Sequence, residues 1–164
     1  MNKLRCAVIP GSFDPITTGH LDVIERAAAM FEAVYVTAFA NADKKGGMFT
    51  EEEKLHMLRL ATAHLDNVIC SVESGLTAVY ARERNAVIVK GIRNGTDLDY
   101  EMTMYGINRA IEGVETIFIP ARQEYSHISS TFVREMLRYG HDFTGLVPAP
   151  VYRYLCEEWI SYEE

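Results

Sequence analysis

Residues 11–20 read GSFDPITTGH, and the segments on either side decide what they form. An apolar run at 4–9, interrupted only by Arg5, leads in and is short enough for a buried strand. An amphipathic run at 21–31 leads out, with Leu21, Ile24, Ala28 and Phe31 on one helical face. The pattern is strand, glycine-containing turn, helix. Such a turn aims backbone N–H groups and the positive end of a helix dipole at one point, which suits a phosphate. Thr17 adds a hydroxyl beside that point, Gly19 a close backbone approach and His20 a titratable donor. No Gly-Lys-Ser/Thr follows, so this is not a Walker loop, and the spacing is not Gly-x-Gly-x-x-Gly.

The rest of the chain repeats the alternation. Strands are predicted at 34–40, 68–72, 86–89 and 116–119, the last closed by Pro120. Residues 50–53 (TEEE) read as a capping box, and Leu55, Leu58, Ala61 and Leu65 continue it as a helix. Further helices are predicted at 77–85, 97–111 (stopped near Gly113), 129–139 (ending at Gly140) and 151–160, with a turn at Asn94 and Gly95. The fold class is therefore α/β: a single Rossmann-like, doubly wound domain with a five-stranded parallel sheet and helices on both faces. Ligands of such sheets bind outside the carboxyl ends of the strands, at the switch point. That rule gathers five loops on one edge: 12–20, the stretch with Lys44 and Lys45, 74–77, 90–93 and 122–131.

Length and composition agree. At 164 residues the chain is one domain by the usual prior, and 48% hydrophobic with 24% charged residues is ordinary for a globular protein. A net charge of −7 gives no sign of a large nucleic-acid footprint, so cations for an anionic ligand must be placed locally. The three cysteines show no Cys-x-x-Cys spacing; Cys6 and Cys70 sit in apolar runs as small core residues, in keeping with a reducing compartment. No apolar run reaches membrane-spanning length and no signal peptide is visible.

Each candidate also has a plainer explanation. His20 could cap a helix or face solvent. Ser129, Ser130 and Thr131 are what helix starts prefer in any protein. Lys90 and Arg93 could be solvated charges past a strand end, although Gly91 between them permits a close backbone approach. Lys44 and Lys45 could be ordinary loop charges. Asp97, Asp99 and Glu101 begin a helix, where carboxylates are favourable anyway.

The motif at 11–20 resembles the first signature of nucleotidyltransferases with the His-x-Gly-His motif, in the variant where Thr17 stands for the first histidine. Ile128 to Thr131 (ISST) resembles their second signature. With Lys44, the KGIR run at 90–93, and the spacing of Tyr100 and Glu101 from Asn108 and Arg109, the chain resembles the bacterial phosphopantetheine adenylyltransferases along nearly its whole length. The resemblance implies transfer of AMP from ATP to 4′-phosphopantetheine, giving dephospho-coenzyme A and pyrophosphate. It implies Mg²⁺, a cytoplasmic setting, a homohexamer, and no nucleic-acid or membrane partner. His20 would stabilise the transition state. ATP would be held by Ser12, Phe13, His20, Gly91, Ile92, Arg93, Glu101, Tyr125, Ser126, His127, Ile128, Ser129, Ser130 and Thr131. The acceptor, and with it dephospho-CoA or CoA, would meet Ser12, Lys44, Thr77 and Lys90. Two positions depart from the family pattern: Ser12 where threonine is common, and Lys90 where arginine is usual, keeping the charge but losing the bidentate fork.

The implied chemistry suits these residues. The attacking group is already a phosphate with a second pKa of about 6, so no general base is needed. Catalysis rests on positioning and on neutralising charge as pyrophosphate leaves. Mg²⁺ would be held mainly by phosphate oxygens and water, without a dedicated carboxylate cage. A sister enzyme with another phosphorylated acceptor or with CTP, and a non-catalytic nucleotide sensor, are the alternatives.

Overall fold

The computed structural model describes residues 4–40 and 47–160. Five strands, β1 (Leu4–Gly11), β2 (Phe31–Phe39), β3 (Val68–Glu73), β4 (Val87–Ile92) and β5 (Thr116–Pro120), form one all-parallel sheet in the order β3-β2-β1-β4-β5. The order reverses between β1 and β4, so the switch point lies at the ends of those two strands.

Alternation along each strand separates two cores. Ala7 and Ile9 of β1, Val34 and Val36 of β2 and Val89 of β4 face one side, with helices α1 (Thr18–Met30), α2 (Glu51–Thr62), α5 (Ser130–Arg138) and α6 (Ala149–Tyr154). Val8 and Ile88 face the other, beside Tyr80 and Ala81 of helix α3 (Thr77–Glu83) and Val114. Helix α4 (Gly95–Glu112) completes that second layer. Ala7, Val8, Val34, Val36 and Val89 are wholly buried, which is why the central strands read as unbroken apolar runs.

Local chemistry moves several predicted boundaries. The helix expected at 21–31 begins earlier, because Thr17 is its N-cap, and ends earlier, because Phe31 is already extended. Phe31 is 1% exposed and opens β2 directly, its ring going into the core rather than along the helix face. Gly11 ends β1 instead of lying in the turn. The strand expected at 86–89 runs on to Ile92, since Lys90, Gly91 and Ile92 pair with Phe118, Ile119 and Pro120. Asn94 and Gly95 are not a turn: Asn94 Oδ1 accepts from Asp97 N–H at 2.9 Å and caps α4. The helix expected at 77–85 stops at Glu83, with Asn85 at φ +49 turning the chain into β4. The last helix starts at Ala149 and widens into a π-turn, Leu155–Trp159, that sets Leu155 in the core and Trp159 against Phe49.

Candidate active site

The first turn is built around Phe13. Its backbone takes φ +44, a conformation side chains rarely adopt, and its ring is 2% exposed. A Cβ on Gly11 would lie 3.0 Å from that ring, so only glycine fits there comfortably. The ring meets His20 edge-on, with centroids 5.1 Å apart. The Phe13 ring therefore belongs to the core and supports the imidazole. Ser12 beside it is exposed at the sheet edge.

His20 is both cap and site residue. Thr17 N–H donates to His20 Nδ1 at 3.0 Å, and His20 N–H donates to Thr17 Oγ1 at 3.2 Å, a reciprocal capping box with histidine in the place usually held by Glu or Gln. Because Nδ1 accepts, the neutral ring carries its proton on Nε2. Burial, followed by the charges of Arg93 and Lys90, lowers its pKa from 6.5 to about 4. At neutral pH the site thus holds a neutral N–H donor, not an imidazolium.

The end of β4 sends two cations, Lys90 and the following Arg93, to opposite tasks. Lys90 shares the sheet face of Ile88, under α4, where its Nζ lies 3.1 Å from Glu101 Oε1. Gly91 turns toward α1; a Cβ there would stand 2.9 Å from Val23 Cγ2, so the strand and helix can approach only over glycine. Arg93 is held by Asp97 through Nε at 2.9 Å and Nη2 at 3.3 Å, while its Nη1 donates to Ile128 O at 3.2 Å. The Arg93 hydrogen bonds keep the Asp97 carboxyl below the usual range against the opposing effect of burial. One guanidinium thereby joins the end of β4, the start of α4 and the loop after β5.

That loop closes the edge. Ala121 N–H pairs with Ile92 O, and a 3₁₀ turn at Gln123–Tyr125 brings Tyr125 against Gly19, within 3.7 Å of where its Cβ would be. Ser129 caps α5, accepting from Phe132 N–H at 3.1 Å, and Ser130 donates to Pro15 O at 2.7 Å. Ser126 donates to Gln123 O at 2.8 Å, and Thr131 Oγ1 accepts from Arg134. Ile128 is buried and His127 exposed. The start of α5 thus faces the start of α1, and two positive helix ends share one edge.

Two clefts open from Ser12 and Phe39. One, of about 500 Å³, runs under α4 and is lined by Lys90, Thr77, Leu76, Glu101, Met104 and Asn108, among others. Thr77 thus joins Lys90, and Glu101, expected on the nucleotide side, pairs with Lys90 in this cleft. The other, of about 580 Å³, lies on the opposite face between α2 and α5 and includes Lys54, Arg134 and Arg138. Lys44 and Lys45 fall outside the described residues.

Two buried carboxylates that the sequence reading passed over, Asp14 and Asp22, hold the turn in place. Buried Asp14 accepts from Met48 and Phe49 N–H at 3.0 Å each and pairs loosely with Lys54 and Arg134. Arg134 also donates to Asp14 O at 2.7 Å. Buried Asp22 pairs with Arg26 and Arg122, both at 3.1 Å, and so fixes the root of the loop after β5. The available signal was Asp14 itself, a carboxylate before proline in a turn with no exposed role.

This edge gathers positive potential and a neutral N–H donor, and the hydroxyl beside the His20 ring, that of Thr17, is buried as a helix cap. It is equipped to move a nucleotidyl group between phosphates, the chemistry of a nucleotidyltransferase. The cytidylyltransferase-like family model matches residues 8–136, from β1 into α5. The chain is 46% identical over 146 residues to phosphopantetheine adenylyltransferase of Corynebacterium efficiens, covering 88% of this chain and 92% of that one. It is 42% identical over 154 residues to phosphopantetheine adenylyltransferase of Corynebacterium glutamicum strain R, covering 93% and 96%. The chain belongs to this family, the phosphopantetheine adenylyltransferases, within the cytidylyltransferase-like group.

Proposed function

We propose that the chain transfers AMP from ATP to 4′-phosphopantetheine, a step of coenzyme A synthesis. The observation that carries this reading is the division of labour at β4: Lys90 turns into the long cleft under α4, and Arg93 turns to the loop after β5. One edge thereby offers two anion seats, with Ser12 and His20 near their junction.

In this reading a phosphate oxygen of the acceptor, held by Lys90, Thr77 and Lys44, attacks the α-phosphorus of ATP. The new P–O bond forms as the α–β bridge bond breaks, and pyrophosphate leaves. Arg93, the backbone of Gly91 and Ile92, and residues 125–131 hold the nucleotide. His20 Nε2–H donates to the α- or β-phosphate as charge develops there. Its neutral state leaves it a donor without drawing a proton from the acceptor. Adenine meets mainly backbone and apolar groups around 125–128, which favours ATP as donor.

Mg²⁺ on ATP would neutralise phosphate charge. Asp97 and Glu101 are engaged with Arg93 and Lys90, and no cluster of three His, Cys, Asp or Glu is found among the described residues. These residues fit a cation carried by phosphate oxygens and water. We place the reaction in the cytoplasm; Cys6, Cys70 and Cys156 are free thiols, and no described helix is long and apolar enough to cross a membrane. The homohexamer implied by the resemblance is supported by α4, an 18-residue helix with no buried residue that leaves Leu98, Met102, Ile107 and Ile111 exposed.

The deciding experiment is pyrophosphate release from ATP, GTP and CTP, with and without 4′-phosphopantetheine. Release from ATP only in the presence of the acceptor is expected. Comparable rates with all three nucleotides would point to a sister enzyme, and binding without turnover to a sensor.

A further inference from the structure

The cleft under α4 is lined by a residue whose polar group has no partner among the described residues. Thr116 Oγ1 is the buried side-chain oxygen or nitrogen that lacks any hydrogen bond among the described residues. Buried hydroxyls are nearly always satisfied, so an orphan asks for an explanation. Thr116 lines the cleft that holds Lys90, and it is the Cα register partner of Ile88, so its side chain shares the sheet face of Lys90. Asn108 of α4 lines the same cleft. Leu76 and Met104 add apolar groups to its wall. The cleft is therefore cationic at the catalytic edge, with apolar groups in its wall and Thr116 two residues back along β5 from Phe118, the partner of Lys90.

Distance says which group reaches Asn108. From Glu101, the partner of Lys90, to Asn108 the helix advances about 10 Å, at about 1.5 Å per residue. An extended chain covers roughly 1.2 Å per bond, from a residue span of about 3.3–3.6 Å over three bonds. The second amide of the pantetheine arm, about nine bonds from the phosphorus, then lies about 11 Å away; the first, about five bonds out, falls short in the apolar part.

Granting the acceptor read above, we infer that Thr116 is a specificity residue whose hydroxyl hydrogen-bonds the second amide of the acceptor arm. In the free chain the hydroxyl oxygen is buried although the residue lines the cleft. Threonine occupies more than one χ1 well, and rotation exchanges the hydroxyl with the methyl, bringing Oγ1 to the cleft wall. Arrival of the amide gives the orphan its partner. The device selects acceptors by length: a shorter phosphorylated alcohol or amide gains the Lys90 contact without the Thr116 contact.

The test compares two acceptors by calorimetric titration: 4′-phosphopantetheine, and the N-propyl amide of 4′-phosphopantoic acid, which keeps the phosphate and first amide and lacks the second. Thr116→Val, matched in shape, should weaken phosphopantetheine about 2- to 13-fold, the span of one net neutral hydrogen bond, and leave the short acceptor unchanged. Thr116→Ser should restore the difference. The free Thr116→Val chain should melt no lower than wild type, because the lost group had no partner. Equal weakening of both acceptors, or a raised melting temperature with neither affinity altered, overturns the assignment. Affinity is read without turnover, so wild-type chain that binds both acceptors but releases no pyrophosphate refutes the proposed activity while the Kd ratio still decides Thr116. A wild type that binds neither overturns both.

Discussion

Replacing Lys90 by alanine should do more than remove one phosphate contact. Its ammonium lies 3.1 Å from Glu101, and the two side chains are only 25% and 14% exposed. Two effects therefore add for the acceptor. Its phosphate loses a charge-assisted hydrogen bond, roughly 1.5–3 kcal/mol. It also faces a carboxylate no longer neutralised, a repulsion of about 2 kcal/mol at about 8 Å and an effective dielectric near 20. The sum, about 3.5–5 kcal/mol, corresponds to a fall of roughly 400- to 5,000-fold in kcat/KM for 4′-phosphopantetheine. Adding Glu101→Gln removes the repulsion, so the double variant should recover about 30-fold over Lys90→Ala. Lys90→Arg keeps the charge and should be tolerated. Steady-state pyrophosphate release, with each substrate varied in turn and Glu101→Gln measured alone, closes the cycle. A double variant no better than Lys90→Ala refutes the electrostatic coupling. A Lys90→Ala effect confined to the KM for ATP reverses the assignment of the two anion seats.

His20→Gln separates the two roles of the histidine. Glutamine is a usual partner in a capping box, so the fold should persist while kcat drops about 10²- to 10³-fold, with ATP affinity changed far less. Because the folded-state pKa is lowered from 6.5 to about 4, the folded chain binds fewer protons than the unfolded one in that window. Stability from His20 is complete above pH 6.5 and is lost as pH falls toward 4, about 1–3 kcal/mol in denaturant titrations, a loss that His20→Gln should not show. Near-normal turnover, or an acid loss identical to wild type, counts against the assignment. The two site glycines should also part company. Gly91→Ala drives a methyl against Val23 and should cost about 1–3 kcal/mol with weaker binding of both substrates. Gly19→Ala, with ordinary contacts from 3.6 Å, should keep its melting temperature and lose ATP affinity; if it melts well below wild type, protein packing rather than ligand approach explains the glycine.

Periodicity alone settled the fold class. Central strands buried on both faces must be continuously apolar, helices laid on a sheet must be amphipathic, and their alternation leaves parallel pairing with one reactive edge. The motif at 11–20 and the ISST run could be read because their function is local: cap, turn and helix start are made by neighbours in sequence. The sequence also located Lys90 and Arg93, but not their opposite duties. Those follow from the pleat of β4, which turns Lys90 to Glu101, and from the loop after β5, whose Ile128 carbonyl lies 35 residues away from Arg93. The partners of Asp14 were illegible for the same reason. Met48, Phe49 and Arg134 are 34, 35 and 120 residues distant, and no spacing rule spans such separations. Phe31 was assigned to a helix because its spacing fits α1, yet its backbone is extended and it opens β2 with its ring in the core. The tertiary structure decided what depends on burial and on distant partners: the state of His20, the Lys90–Glu101 pair and the orphan hydroxyl of Thr116. A pKa or a hydrogen bond is set by every group that packs around it, and packing is a property of the folded chain rather than of adjacent letters.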